Sequence, residues 1–234
     1  MLCYHPSLDM LVDYSSGALA LPHALAVSAH LDQCAECREQ LKRLNTLGAE
    51  LFSEQPTSAS DSQLSALKAN VLEAIQGQTE VSAKTEVTQA SELNETLKDI
   101  PASLRRLIPK GFDSLSWMSL TPSFKLAMLS SEPGGAQVAL SRIKAGAHMP
   151  THTHTGNEIT LVLTGAFSDE EGVYRRGDFI CRNDDDKHKP RVTKDAECIC
   201  LIVLDAPIEF TGWLTRFLNP IMRRFHPNNT PAEA

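Results

Sequence analysis

The sequence lacks any run approaching the ~20 apolar residues that a membrane-spanning helix needs. Its first residues, Met1-Leu2-Cys3-Tyr4-His5, lack the basic segment and long apolar core of a secretory leader. Both absences predict a cytoplasmic protein with no membrane partner. Positive charge is also short: the net charge is -7 over 234 residues, whereas a nucleic-acid-binding surface calls for a basic face. Direct binding to nucleic acid is therefore not expected, and a basic protein partner suits the balance better. No internal repeat is found.

What is there is enough chain for one or two domains, with a 42% hydrophobic fraction that is ordinary for buried cores. Six cysteines are present: Cys3, Cys34, Cys37, Cys181, Cys198 and Cys200. In a reducing compartment they point to metal binding or redox chemistry rather than structural disulfides.

Residues 1–76 read as a small helical bundle. Leu8, Leu11 and Val12 recur at helical spacing and Gly17 is a stop signal. Pro22 suits the first turn of a second helix with an apolar stripe on Leu25, Ala26 and Ala29. A third helix is predicted from about Cys34 to Phe52, with Leu41, Leu44, Leu47 and Leu51 on one side. A fourth runs from Ser62 to Gln76, carrying Leu64, Leu67, Val71, Leu72 and Ile75. Residues 77–96 are rich in Thr, Ser, Gln, Glu and Lys and read as a flexible linker. Past Pro101 a short helix through Leu104 and Leu107 is predicted, ending before Pro109. The remainder of 97–220 turns to short apolar runs separated by Gly, Pro, Asn or Asp, the pattern of a closed or double-sheet all-β domain. Residues 221–234 read as a tail. The fold class is thus α+β multidomain.

Two clusters carry metal-binding chemistry. In Gly146-Ala147-His148-Met149-Pro150-Thr151-His152-Thr153-His154-Thr155-Gly156-Asn157-Glu158, alternation along a strand sends His152 and His154 to one face. Gly156 lets the chain turn so that Glu158 returns toward them, and Gly165 closes the run. A bare His-x-His is more often an ordinary polar pair on a surface strand; the glutamate, the glycines and a later His188 favour a ligand set. In the helical part, His30, Cys34 and Cys37 would share one face of a continuous helix at i, i+4 and i+7. Two thiolates and an imidazole favour zinc, which wants a fourth ligand; His5 is the choice and His23 the alternative. A lone Cys-x2-Cys also serves disulfide exchange, but that reading wants a βαβ context, which is missing.

The run from Gly146 to Gly165 resembles the first cupin motif, Gly-x5-His-x-His-x3-Glu-x6-Gly. Gly177-Asp178 followed by His188 resembles the second in part, since Asn183 and Asp185 stand where proline and glycine are usual. The His30, Cys34 and Cys37 pattern resembles the zinc-binding anti-sigma domain. Together the halves resemble the ChrR-type cupin anti-sigma factors over nearly the whole chain. The resemblance implies an N-terminal zinc-binding helical domain and a C-terminal cupin barrel (double-stranded β-helix). It also implies zinc at both sites and an extracytoplasmic-function sigma factor held away from core RNA polymerase until singlet oxygen or organic peroxide is sensed through the cupin metal site.

The residues fit such a partner. Residues 1–76 hold nine acidic and four basic residues, a balance that speeds association with a basic surface. The stripe on Leu64, Leu67, Val71, Leu72 and Ile75 either docks on sigma or packs on its own domain. Cys198 and Cys200 share one face of a strand and are candidate redox residues if that face is the barrel interior, or else small buried residues. A homodimer through the cupin is a further expectation. The rival reading is a metal-dependent cupin enzyme, an oxygenase or isomerase, on His152, His154, Glu158 and His188.

Overall fold

A computed structural model describes residues 4–55, 60–76, 97–131, 135–184, 186–213 and 215–227. The predicted linker, residues 77–96, lies wholly outside the described residues. Among the described residues no helix is long and apolar enough to cross a membrane.

Four helices come first. The first, α1, spans Leu8–Ser16; the Ser7 hydroxyl accepts from the Met10 amide at 3.2 Å and Gly17 closes the helix at φ 75°, a left-handed position open to glycine at low cost. The second, α2, spans Leu21–Leu31 with Pro22 in its first turn. The third, α3, spans Ala35–Ser53, and the fourth, α4, spans Asp61–Gln76. The third helix starts where predicted, with Cys34 as its cap, but the single continuous helix that would put His30, Cys34 and Cys37 on one face is not formed. The chain breaks after Leu31, and Cys34 is extended at φ -112°, ψ 110°, capping α3 by accepting from the Cys37 amide. The predicted helix after Pro101 is likewise a single 3-10 turn, Ala102–Leu104, followed by further i to i+3 hydrogen bonds. Two prolines eight residues apart leave too little chain to nucleate an α-helix.

Among the described residues twelve strands follow: β1 Met118–Thr121, β2 Phe124–Ser131, β3 Gln137–Ile143, β4 His152–Thr153, β5 Glu158–Thr164, β6 Ala166–Ser168, β7 Val173–Arg175, β8 Phe179–Arg182, β9 Lys187–His188, β10 Arg191–Val192, β11 Cys198–Leu204 and β12 Glu209–Phe210. They form a six-stranded sheet in the order β1-β2-β3-β11-β5-β8 and two three-stranded sheets, β10-β6-β7 and β12-β4-β9. Gly165 joins β5 to β6 at φ 72°, where a side chain would put its Cβ 2.1 Å from the Glu197 carbonyl oxygen. Only glycine fits that crossing between sheets.

Strand β11 is buried on both faces, and its alternation divides the molecule. Cys198, Cys200, Ile202 and Leu204 face the core between the sheets, with Phe124, Val162 and Phe210. Leu201 and Val203 face outward and pack with Ala26, Val27 and Ala29 of α2. The small side chains of α2 let it lie close on β5 and β11. Helices and sheet thus share one apolar layer, in which each large buried side chain contributes about 1.5–3 kcal/mol. On α3, Leu41 and Leu44 pack on this layer, while Leu47 and Leu51 stay exposed. Of the predicted tail, 221–234, residues 221–227 are described: the last helix, α5, spans Asn219–Phe225 and so begins before the predicted boundary, Met222 is buried, and His226 Nε2–H donates to the Leu204 carbonyl at 3.1 Å.

Candidate functional site

The break between α2 and α3 brings four side chains together. His30 ends α2, Cys34 caps α3, Cys37 lies in its first turn, and His5 reaches across from the segment before α1. One ligand atom from each lies within 4.8 Å of all the others. His5 Nδ1 is 3.3 Å from Cys37 Sγ and 3.5 Å from Cys34 Sγ; His30 Nε2 is 3.3 Å from Cys37 Sγ. His23, the alternative fourth ligand, is elsewhere, with Nε2 3.0 Å from Asp205 Oδ1. Two soft sulfurs and two imidazoles at this spacing can hold one tetrahedral ion. His30 Nδ1–H donates to the Gly177 carbonyl at 2.8 Å, which leaves Nε2 as the donor atom toward the cluster. Burial lowers the His30 pKa, and burial with the neighbouring Cys34 pushes the Cys37 thiol up to about 12.

The second cluster lies between the sheets. His152 opens β4 and pairs directly with His188 of β9. One ligand atom each from His152, His154 and His188 lies within 4.8 Å of the others. His152 Nδ1–H donates to the Pro150 carbonyl at 3.0 Å and His188 Nδ1–H to Asp169 Oδ2 at 3.1 Å. Both Nε2 atoms therefore carry lone pairs, and they face each other at 3.0 Å. Two acceptors so placed repel unless a proton or cation lies between them, and this is the observation that fits the cluster to a metal ion. His154 buries both ring nitrogens without an aligned hydrogen bond, although Nδ1 comes within 3.0 Å of Glu158 Oε2.

Glu158 is outside the mutual set of three imidazoles but abuts it, and its Oε1 accepts from the Thr160 hydroxyl at 2.7 Å. Burial opposes its ionisation, yet His154, His152 and that hydroxyl outweigh burial and hold the carboxyl down at about 2. Burial brings His152 down to about 4, opposed by Glu158 and aided by His188. At neutral pH the site thus offers a neutral His152 and an anionic carboxylate, both suited to a dication.

A cavity of about 60 Å³ opens on this cluster, lined by His152, Glu158 and His188 and by apolar groups such as Phe124, Leu126 and Ile202. That is well below the ~150 Å³ that holds a benzene ring. Cys198 and Cys200 line the same cavity, so their shared face is the interior one. Their sulfurs are 3.6 Å apart, both free, and the hydrogen bond from Cys198 together with burial holds the Cys200 thiol above its ordinary pKa. The stripe on α4 is exposed throughout: no residue of that helix is buried.

Sequence reasoning missed the groups that orient His188. The Asp169 side chain is fully buried, accepts from Arg182 at 2.9 Å and Tyr174 at 3.0 Å, and begins the turn of Asp169 to Gly172 with amide hydrogen bonds from Glu171 and Gly172. The turn signal was legible; the inward aim of the carboxylate was not, because it depends on β8 bringing Arg182 alongside.

A family model described as the ChrR Cupin-like domain matches residues 109–206. The anti-sigma-E factor ChrR of Cereibacter sphaeroides is 31% identical over 222 residues, 94% of this chain and 98% of that protein. A crystal structure of Rhodobacter sphaeroides SigE in complex with the anti-sigma ChrR is similar over 86% of this chain and 98% of that one, with 26% identity and a TM-score of 0.69.

Proposed function

Because this chain belongs to the ChrR family of cupin anti-sigma factors, we propose that it binds an extracytoplasmic-function sigma factor and keeps it from core RNA polymerase, acting as a regulator rather than an enzyme. The observation that carries this reading is the likeness to the ChrR partner in the SigE complex over both the helices and the barrel. The exposed stripe of Leu64, Leu67, Val71, Leu72 and Ile75 supports it: an amphipathic helix whose apolar face stays off its own core needs a partner to cover it. The acidic balance of residues 1–76 suits a basic partner and argues against direct contact with nucleic acid.

In this reading His5, His30, Cys34 and Cys37 hold one zinc ion that fixes the junction of α2 and α3. His152, His154, His188 and Glu158 hold a second. Bound zinc supplies a structural cross-link at each site and a Lewis acid beside the cavity. The chain's own groups do the rest: Pro150 and Asp169 fix the two imidazoles, and the apolar walls limit the cavity to small molecules. The inducing signal is oxidative, singlet oxygen or an organic peroxide, read at the barrel site with Cys198 and Cys200 as candidate redox partners.

The experiment separates grip from response. His152→Ala and His188→Ala are each expected to leave sigma binding intact and to abolish release of sigma on oxidant treatment, followed with a sigma-dependent reporter and pull-down. A full oxidant response in both variants would remove the barrel site from the mechanism.

A further inference from the structure

The two clusters are joined by an unbroken chain of contacts. Tyr4, the neighbour of His5, is held on the barrel: its carbonyl accepts from the Phe179 amide at 2.9 Å and its ring lies 4.6 Å, centroid to centroid, from that of Tyr174. Its hydroxyl sits against Gly172, where an added Cβ would come within 2.5 Å of it. Tyr174, fully buried, donates its hydroxyl to Asp169 Oδ1 and accepts from Arg182 at 2.8 Å. The other oxygen of Asp169 holds His188. The path from His5 to His188 therefore runs through Tyr4, Tyr174 and Asp169. A second tie, from His30 to the Gly177 carbonyl, anchors the helical cluster to the turn that opens β8.

We propose that Tyr4, Tyr174 and Asp169 are positioning residues that couple the clusters, so that emptying the barrel site loosens His5 and exposes Cys34 and Cys37 to reagents in solution. The inference rests on the reading that both clusters hold zinc. A cation on His188 Nε2 strengthens Nδ1–H as a donor to Asp169, and without it that clamp slackens. Close-packed interiors respond by switching between discrete arrangements rather than by absorbing the change. Asp169 then shifts its hydrogen bond to Tyr174, and the ring pair passes the shift to the segment that carries His5. The thiols become more reactive while zinc stays bound between them, so this linkage alters the helical cluster without by itself releasing sigma.

The test uses the full chain, zinc-loaded, with metal content measured first and alkylation of Cys34 and Cys37 by iodoacetamide followed by peptide mass spectrometry. His188→Ala is expected to speed alkylation on the order of tenfold in the parent chain, the scale of effects passed through groups that orient ligands. In a Tyr4→Ala background the same substitution should add less than about twofold, since the path is already cut. Tyr174→Phe keeps the ring pair and, by itself, leaves both sites loaded, but it removes the hydroxyl link and should reduce the effect of adding His188→Ala; it carries the test if Tyr4→Ala does not fold. Equal acceleration by His188→Ala with and without the cut, or none in the parent chain, overturns the proposal. A parent chain that binds a single zinc ion defeats the two-metal reading itself, and shows this before any substitution is made.

Discussion

Cys37 carries a proton that a metal must displace. Burial beside Cys34 pushes its thiol up to about 12, so at neutral pH the metal-free side chain is the neutral thiol, whereas the ligand is the thiolate. Each proton released on binding makes apparent affinity rise about tenfold per pH unit below the thiol pKa. Zinc competition titrations at pH 6.5 and 7.5 should therefore give tighter binding at the higher pH for the helical site, by at least that factor for the Cys37 proton alone. Affinity independent of pH would mean that Cys37 is not a ligand. At this scale the residue types that gather in the two clusters were legible, because His-x-His and Cys-x2-Cys are local patterns. The sequence was silent on Asp169, Tyr174 and Arg182, whose roles come from β6, β7 and β8 meeting in space.

Among the elements, α4 is the one whose apolar face has no cover among the described residues. Leu67 is 60% exposed and Val71 49%, so replacing them leaves the folded chain's packing unchanged, whereas in a complex they would be buried. Leu67→Asp with Val71→Asp is expected to keep the melting temperature and to weaken sigma binding by roughly tenfold or more, as loss of apolar anchors does. Unchanged binding in a calorimetric titration would take α4 out of the interface. Helix limits were legible where stop and start signals are local, at Gly17 and Pro22. The start of α3 at Cys34 was legible too, but the i, i+4, i+7 spacing of His30, Cys34 and Cys37 assumed one continuous helix, whereas the chain turns to let Cys34 cap α3 and aim its sulfur at the cluster. The pairing of β4 with β9, which sets His152 against His188, was legible only as a motif, since thirty-odd residues separate strands just two residues long.

Among the described residues α1, α2 and α3 pack together and lie on the outer face of a β-rich barrel, with β11 as the shared wall. Composition and turn spacing gave the α+β division. They could not give the docking of α2 on β5 and β11, because an Ala-rich stripe reads the same whether it meets a helix or a sheet. That docking brings His30 to Gly177 and Tyr4 to Tyr174, and so puts both clusters in one body. The central claim is that this body grips a sigma factor and that its clusters hold metal. The most direct measurement is co-expression with a candidate extracytoplasmic-function sigma factor from the same genome, followed by size-exclusion chromatography and metal analysis of the eluted peak. A stable one-to-one complex carrying about two zinc ions per chain is the expected result. A chain that elutes apart from sigma while keeping a redox-active metal in the barrel would contradict it.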